Sequence, residues 1–111
     1  MHDGSPYTAE TDGVLIKVRP SYLAGQSDPE AGRWVWAYQV EIVNLTGSPL
    51  QLMSRHWIIT DAAGHVEEVH GPGVIGQQPV ILPGESYSYA SGCPLPTPSG
   101  LMVVSYEMRD A

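Results

Sequence analysis

One stretch of this 111-residue chain carries most of the side chains with usable chemistry. Arg55, His56 and Trp57 stand together, His65 and His70 follow, and Gly71-x-Gly73-x-x-Gly76 closes the run. A guanidinium grips carboxylate or phosphate oxygens in a fork, and an imidazole ligates transition metals or carries protons near neutrality. The glycine string matches the dinucleotide fingerprint, in which the glycines link a strand to a helix whose N-terminus holds a pyrophosphate. Here Gln77-Gln78-Pro79-Val80-Ile81-Leu82-Pro83 follows, which cannot form that helix, so the dinucleotide reading fails on context. A weaker form stands: backbone N–H groups of Gly71, Gly73 and Gly76, helped by Arg55, form a nest for a small anion such as pyrophosphate. The plain alternative is an inter-strand loop whose glycines take positive φ. Glu67 and Glu68 beside the loop, and a net charge of -7, oppose an anion.

The histidines give no metal centre by spacing. His65 and His70 differ by an odd number along one strand and should point to opposite faces, and no pair has a familiar zinc spacing. The expectation is therefore no metal set and no cofactor, with exposed histidines and His56 the candidate for a buried, hydrogen-bonded one. Cys93 has no base beside it and precedes Pro94, so it reads as a small core residue rather than a nucleophile. Serines form no nucleophile motif, and no carboxylates are spaced as an acid and base pair. No enzyme is expected.

The elements that must position these residues are strands. Val14, Ile16 and Val18 alternate with Leu15, Lys17 and Arg19, up to a Pro20 that implies an end, a bulge or an edge. Trp34, Trp36, Tyr38, Val40 and Ile42 fall on one face of a strand, whereas a helix would set the two tryptophans about 200° apart. Leu50 to Asp61 is apolar on both faces, so either the strand is central or a bulge near Ser54 and Arg55 switches its register. Asp61-Ala62-Ala63-Gly64 turns the chain, and His65 to His70 forms a short polar strand at an edge. Pro83-Gly84 signals a type II turn, Tyr87 and Tyr89 mark another strand, and Gly92 to Gly100 is read as a connection because it holds three prolines. Met102, Val104, Tyr106 and Met108 alternate in the last strand. Met1 to Asp12 is read as a flexible N-terminal segment, and residues 13–111 as a single antiparallel β-sandwich of immunoglobulin or fibronectin III type, with about seven strands.

Composition agrees. The 12 glycines and 10 prolines suit short strands and tight turns. Five Lys and Arg against 12 Asp and Glu make nucleic acid a poor partner. One cysteine excludes an intrachain disulfide and fits a reducing compartment. No apolar run approaches membrane-spanning length, so a cytoplasmic protein without membrane contact is expected.

Several longer strings resemble the ApaG family. They are Gln51-Leu52-Met53-Ser54-Arg55-His56-Trp57-Ile58-Ile59-Thr60-Asp61, Val66-Glu67-Glu68-Val69, Gly71-Pro72-Gly73-Val74-Ile75-Gly76-Gln77-Gln78-Pro79, Leu82-Pro83-Gly84-Glu85 and Ser91-Gly92-Cys93-Pro94-Leu95. The resemblance implies a fibronectin III-like sandwich, found alone in bacteria or appended to larger eukaryotic proteins. It also implies an indirect link to cobalt and magnesium tolerance, with no settled biochemical activity. It further implies a terminal strand beyond the last one seen here. The combined expectation is a non-enzymatic protein-binding module with a partner surface at Trp57, His65 and His70. The alternative is a phosphate-type anion held by Arg55, Gly71, Gly73 and Gly76.

Overall fold

The computed structural model describes residues 7–111 except Ile75, so the lead-in Met1–Pro6 lies outside the described residues. Eight antiparallel strands make two facing sheets. They are β1 (Tyr7–Thr11), β2 (Val14–Tyr22), β3 (Trp34–Asn44), β4 (Leu50–Asp61), β5 (Val66–Pro72), β6 (Val80–Ile81), β7 (Ser86–Leu95) and β8 (Gly100–Asp110). The first sheet runs β1-β2-β3-β7. The second is centred on β4, which pairs β5 along one edge and β8 along the other, with β6 beside its first residues. This is the sandwich that the strand alternation and turn spacing predict. No helix among the described residues is long and apolar enough to cross a membrane.

Two boundaries differ from expectation. Tyr7–Thr11 is not a loose lead-in but β1, in register with Val14–Val18. Its residues are all exposed, so their period is invisible and only the neighbouring strand selects the conformation. The stretch from Gly92 is not wholly a connection either. β7 continues through Cys93, Pro94 and Leu95, with Pro94 opposite Val35. β7 is an edge strand, where the missing proline N–H can face outward and no ladder bond is lost.

The bulge expected in β4 is present. Pairing with β8 shifts between Leu52 and Ser54. Before it, Leu50 and Leu52 are buried; after it, Trp57, Ile59 and Asp61 are. One extra residue switches which alternate positions face the interior. The result is a core in two parts. One is aliphatic: Val40, Ile42, Leu52, Val74 and Ile81. The other is aromatic and sulfur-bearing: Tyr38, Trp57, Ile59, Cys93 and Leu95. Trp34 is only half-buried, while Val35, on the opposite face, is covered where Leu23 N–H bonds the Val35 carbonyl at 2.9 Å.

At the aliphatic end Asn44 is fully buried and fully satisfied. Its Nδ2 donates to the Ser48 and Ile81 carbonyls, both at 2.8 Å. Its Oδ1 accepts from the Thr46 N–H at 2.9 Å and the Thr46 hydroxyl at 2.6 Å. A buried amide with every bond made fixes the turn after β3 and ties it to β6.

Candidate functional site

Beyond the bulge, Arg55 falls in line with Trp57 and Ile59 and so faces the sandwich interior, an uncommon place for a guanidinium. It is accommodated by its cross-strand partner, Gly71. A Cβ there would stand 3.2 Å from the guanidinium carbon, so the bare backbone lets Arg55 lie across the strand. Arg55 Nη1 donates to the Gly73 carbonyl at 3.0 Å. Among the described residues no carboxylate pairs with it.

Arg55 opens onto a cleft of about 290 Å³ between β5 and β7, lined by Trp57, Glu67, Val69, Tyr89, Ser91 and Cys93, among others. Tyr89 and Tyr106 share a short hydroxyl–hydroxyl bond above Trp57. The Trp57 indole N–H interacts with these hydroxyls but has no acceptor at hydrogen-bond distance and angle. Burial pushes the Tyr106 hydroxyl far above the usual tyrosine range, and its bond to Tyr89 adds to this. Tyr89 is raised too, first by burial, with the Arg55 charge acting against the rise. Burial, and then the Glu67 charge, raise the Cys93 thiol. It therefore stays protonated near neutral pH, which makes it a poor nucleophile.

The cleft thus presents the Arg55 guanidinium, while the Trp57 indole nitrogen lies buried behind it. β5 and β7 flank the cleft as edge strands. A sheet edge offers a row of backbone groups to an incoming strand.

The glycine loop serves the backbone itself. Gly73 has φ +60°, and a Cβ on it would fall 1.9 Å from the Gln77 carbonyl oxygen, so no other residue fits without rebuilding the turn. The Gly73 N–H donates to the Met53 carbonyl at 2.8 Å, Val74 N–H to Gln77 O at 2.7 Å and Gln77 N–H to Val74 O at 2.9 Å. Of the N–H groups expected in an anion nest, that of Gly73 is thereby engaged within the chain. The loop instead drives Val74, fully buried, into the aliphatic core.

The expected partner-surface residues separate. Trp57 does not project: it is 5 % exposed, edge-on to Tyr38 at 6.3 Å, and forms the cleft wall. The register shift turned it inward. His65 lies in the β4–β5 turn, its Nδ1 3.3 Å from Asp61 Oδ2. His70 is exposed on β5, directly across from His56. The Tyr89–Tyr106 pair was missed from sequence. The alternation of each tyrosine marks it as inward-facing, but only the facing of the two sheets brings the hydroxyls together.

The ApaG domain model, DUF525, matches residues 24–110. Protein ApaG of Paramagnetospirillum magneticum is 55 % identical over 104 residues, covering 94 % of this chain and 80 % of that protein. Protein ApaG of Mesorhizobium japonicum is 56 % identical over 104 residues, with the same coverage. The crystal structure of the ApaA protein from Bordetella pertussis superposes with a TM-score of 0.86 at 49 % identity, covering 87 % of this chain and 79 % of that one.

Proposed function

This chain belongs to the ApaG domain family, and we propose from its cleft that it is a non-enzymatic module that binds another protein. The partner lays an extended segment along the β5 and β7 edges, and an acceptor oxygen of that segment, from a carbonyl or a carboxylate, meets Arg55 above the buried Trp57 ring. The observation that supports this most is the inward-facing Arg55 without a carboxylate partner among the described residues, set between two strand edges. A half-buried guanidinium is strongly favoured by a charge-assisted hydrogen bond, and an edge strand supplies the rest of the backbone recognition. The protonated Cys93 thiol fits binding better than covalent chemistry. A single cysteine suits a reducing compartment, so we place the module in the cytoplasm.

The test is selection of a random peptide library on the full chain, followed by amide and indole resonance mapping. Selected peptides should shift the Trp57 indole and the amides of Val66–Val69 and Ser91–Leu95, and Ser91→Trp, which fills the cleft, should abolish binding. Peptides that map to the outer face of β8, or that bind Ser91→Trp unchanged, overturn the assignment. Pyrophosphate serves as the competing probe. Saturable shifts at Gly73 and Gly76 without peptide binding would instead establish the anion reading.

A further inference from the structure

The second face of the β4–β5 hairpin carries a different constellation. Arg55 and Trp57 point inward, so their neighbours His56 and Ile58 point out, and across from them stand His70 and Glu68. The His56 and His70 rings stack with centroids 3.8 Å apart and planes only 16° off parallel. His56 Nε2 lies 3.3 Å from Glu68 Oε1. One ligand atom from each of the three residues falls within 4.8 Å of the others.

These distances suit a bound ion. Two ligands about 2.1 Å from a tetrahedral metal sit about 3.4 Å apart, close to the 3.3 Å between His56 Nε2 and Glu68 Oε1. His70 needs only a side-chain rotation to close the set. The backbone that supports them is a regular ladder: Glu68 and His70 are two apart on β5, hence on one face, and His56 is the direct cross-strand partner of His70. On the other side of β4, Ser105 of β8 is opposite His56 and faces the same way. Solvent at this open face can complete the coordination.

We propose that His56, Glu68 and His70 form a binding site for a first-row divalent transition-metal ion. Two imidazoles and one carboxylate select zinc-like ions over magnesium or calcium, which prefer oxygen cages. The ion clamps β5 to β4 from outside. The site is independent of the cleft, because its ligands leave the opposite face of the same strands.

The experiment is titration of the full chain with Zn²⁺, read by histidine ring resonances and by calorimetry. The expected result is one ion per chain, with the His56 and His70 rings shifting together and the His65 ring unmoved. His70→Gln and Glu68→Gln should each weaken binding by about tenfold or more, while His2→Gln and His65→Gln leave it unchanged. Mg²⁺ at the same concentration should shift nothing. Amide spectra of the variants establish that each is folded. Zinc affinity unaltered in His70→Gln, shifts centred on His65, or one ion bridging two chains would each overturn the site.

Discussion

The two ends of the sandwich are built from different chemistry, and the bulge in β4 separates them. Leu52 on one side meets aliphatic partners and a glycine loop that delivers Val74 into the same cluster. Trp57 on the other side meets Tyr38, Cys93 and the tyrosine pair beside an open cleft. The polar groups follow suit. The aliphatic end is fastened by the neutral Asn44 amide, the aromatic end by the Asp61 carboxylate. Both ends carry a surface cavity, about 540 Å³ beside Leu50 and Met108 at the aliphatic end and about 290 Å³ at the other, and of these two only the second is lined by an arginine, Arg55.

Three changes sharpen that contrast, from large to small. Leu52→Ala leaves a hole in the aliphatic end, where Leu52 is fully buried, and should cost about 2–5 kcal/mol of unfolding free energy in a denaturant titration. A loss under about 1 kcal/mol would show that the aliphatic end relaxes as readily as the aromatic one.

Acid should attack only the other end. Burial opposes ionisation of Asp61, but the His65 and Ala63 N–H groups, at 3.0 and 2.9 Å, outweigh it with help from the His65 side chain, and hold the carboxyl below its usual range. A depressed folded value means the stabilisation is complete above the ordinary carboxylate value of 3.8 and is lost as pH falls below it toward the folded value. Hydrogen exchange at falling pH should therefore release the Asp61–Val66 turn before the Asn44–Leu50 turn, and Asp61→Asn should remove the difference. Simultaneous release of both turns would contradict it.

The smallest stability effect belongs to Trp57→Phe. It trades the indole for a smaller ring and deletes the N–H, which has no acceptor at good geometry, so the unfolding free energy should fall by about 1–2 kcal/mol. Peptide binding at the cleft should still fall. A large stability loss with binding retained would make the indole a structural donor to the tyrosine hydroxyls instead.

The bulge beside the cleft was legible in the sequence; the cleft itself was not. The unusual double apolar face of Leu50–Asp61 signalled the bulge, and Arg55 was marked as a ligand residue. Trp57 is a partner-surface candidate only if it projects, and the inserted residue decides against that by turning it inward. The histidines fail for another reason. Spacing along the chain judged His65 with His70, whereas the neighbour that matters to His70 is His56, on the adjacent strand.

By itself, the sequence determined most of the elements: alternation set the inner strands, Asp61-Ala62-Ala63-Gly64 and Leu82-Pro83-Gly84-Glu85 set turns that the chain makes, and Pro and Gly content ruled out long helices. Those are local matters, settled by sterics within a few residues. Only the tertiary structure decided that Tyr7–Thr11 is a strand, that β7 runs through Pro94 at a free edge, that Trp57 turns inward, and that His56, Glu68 and His70 converge. Each of these depends on which strand lies alongside and in which register, and a slip of one residue exchanges every inward side chain for an outward one.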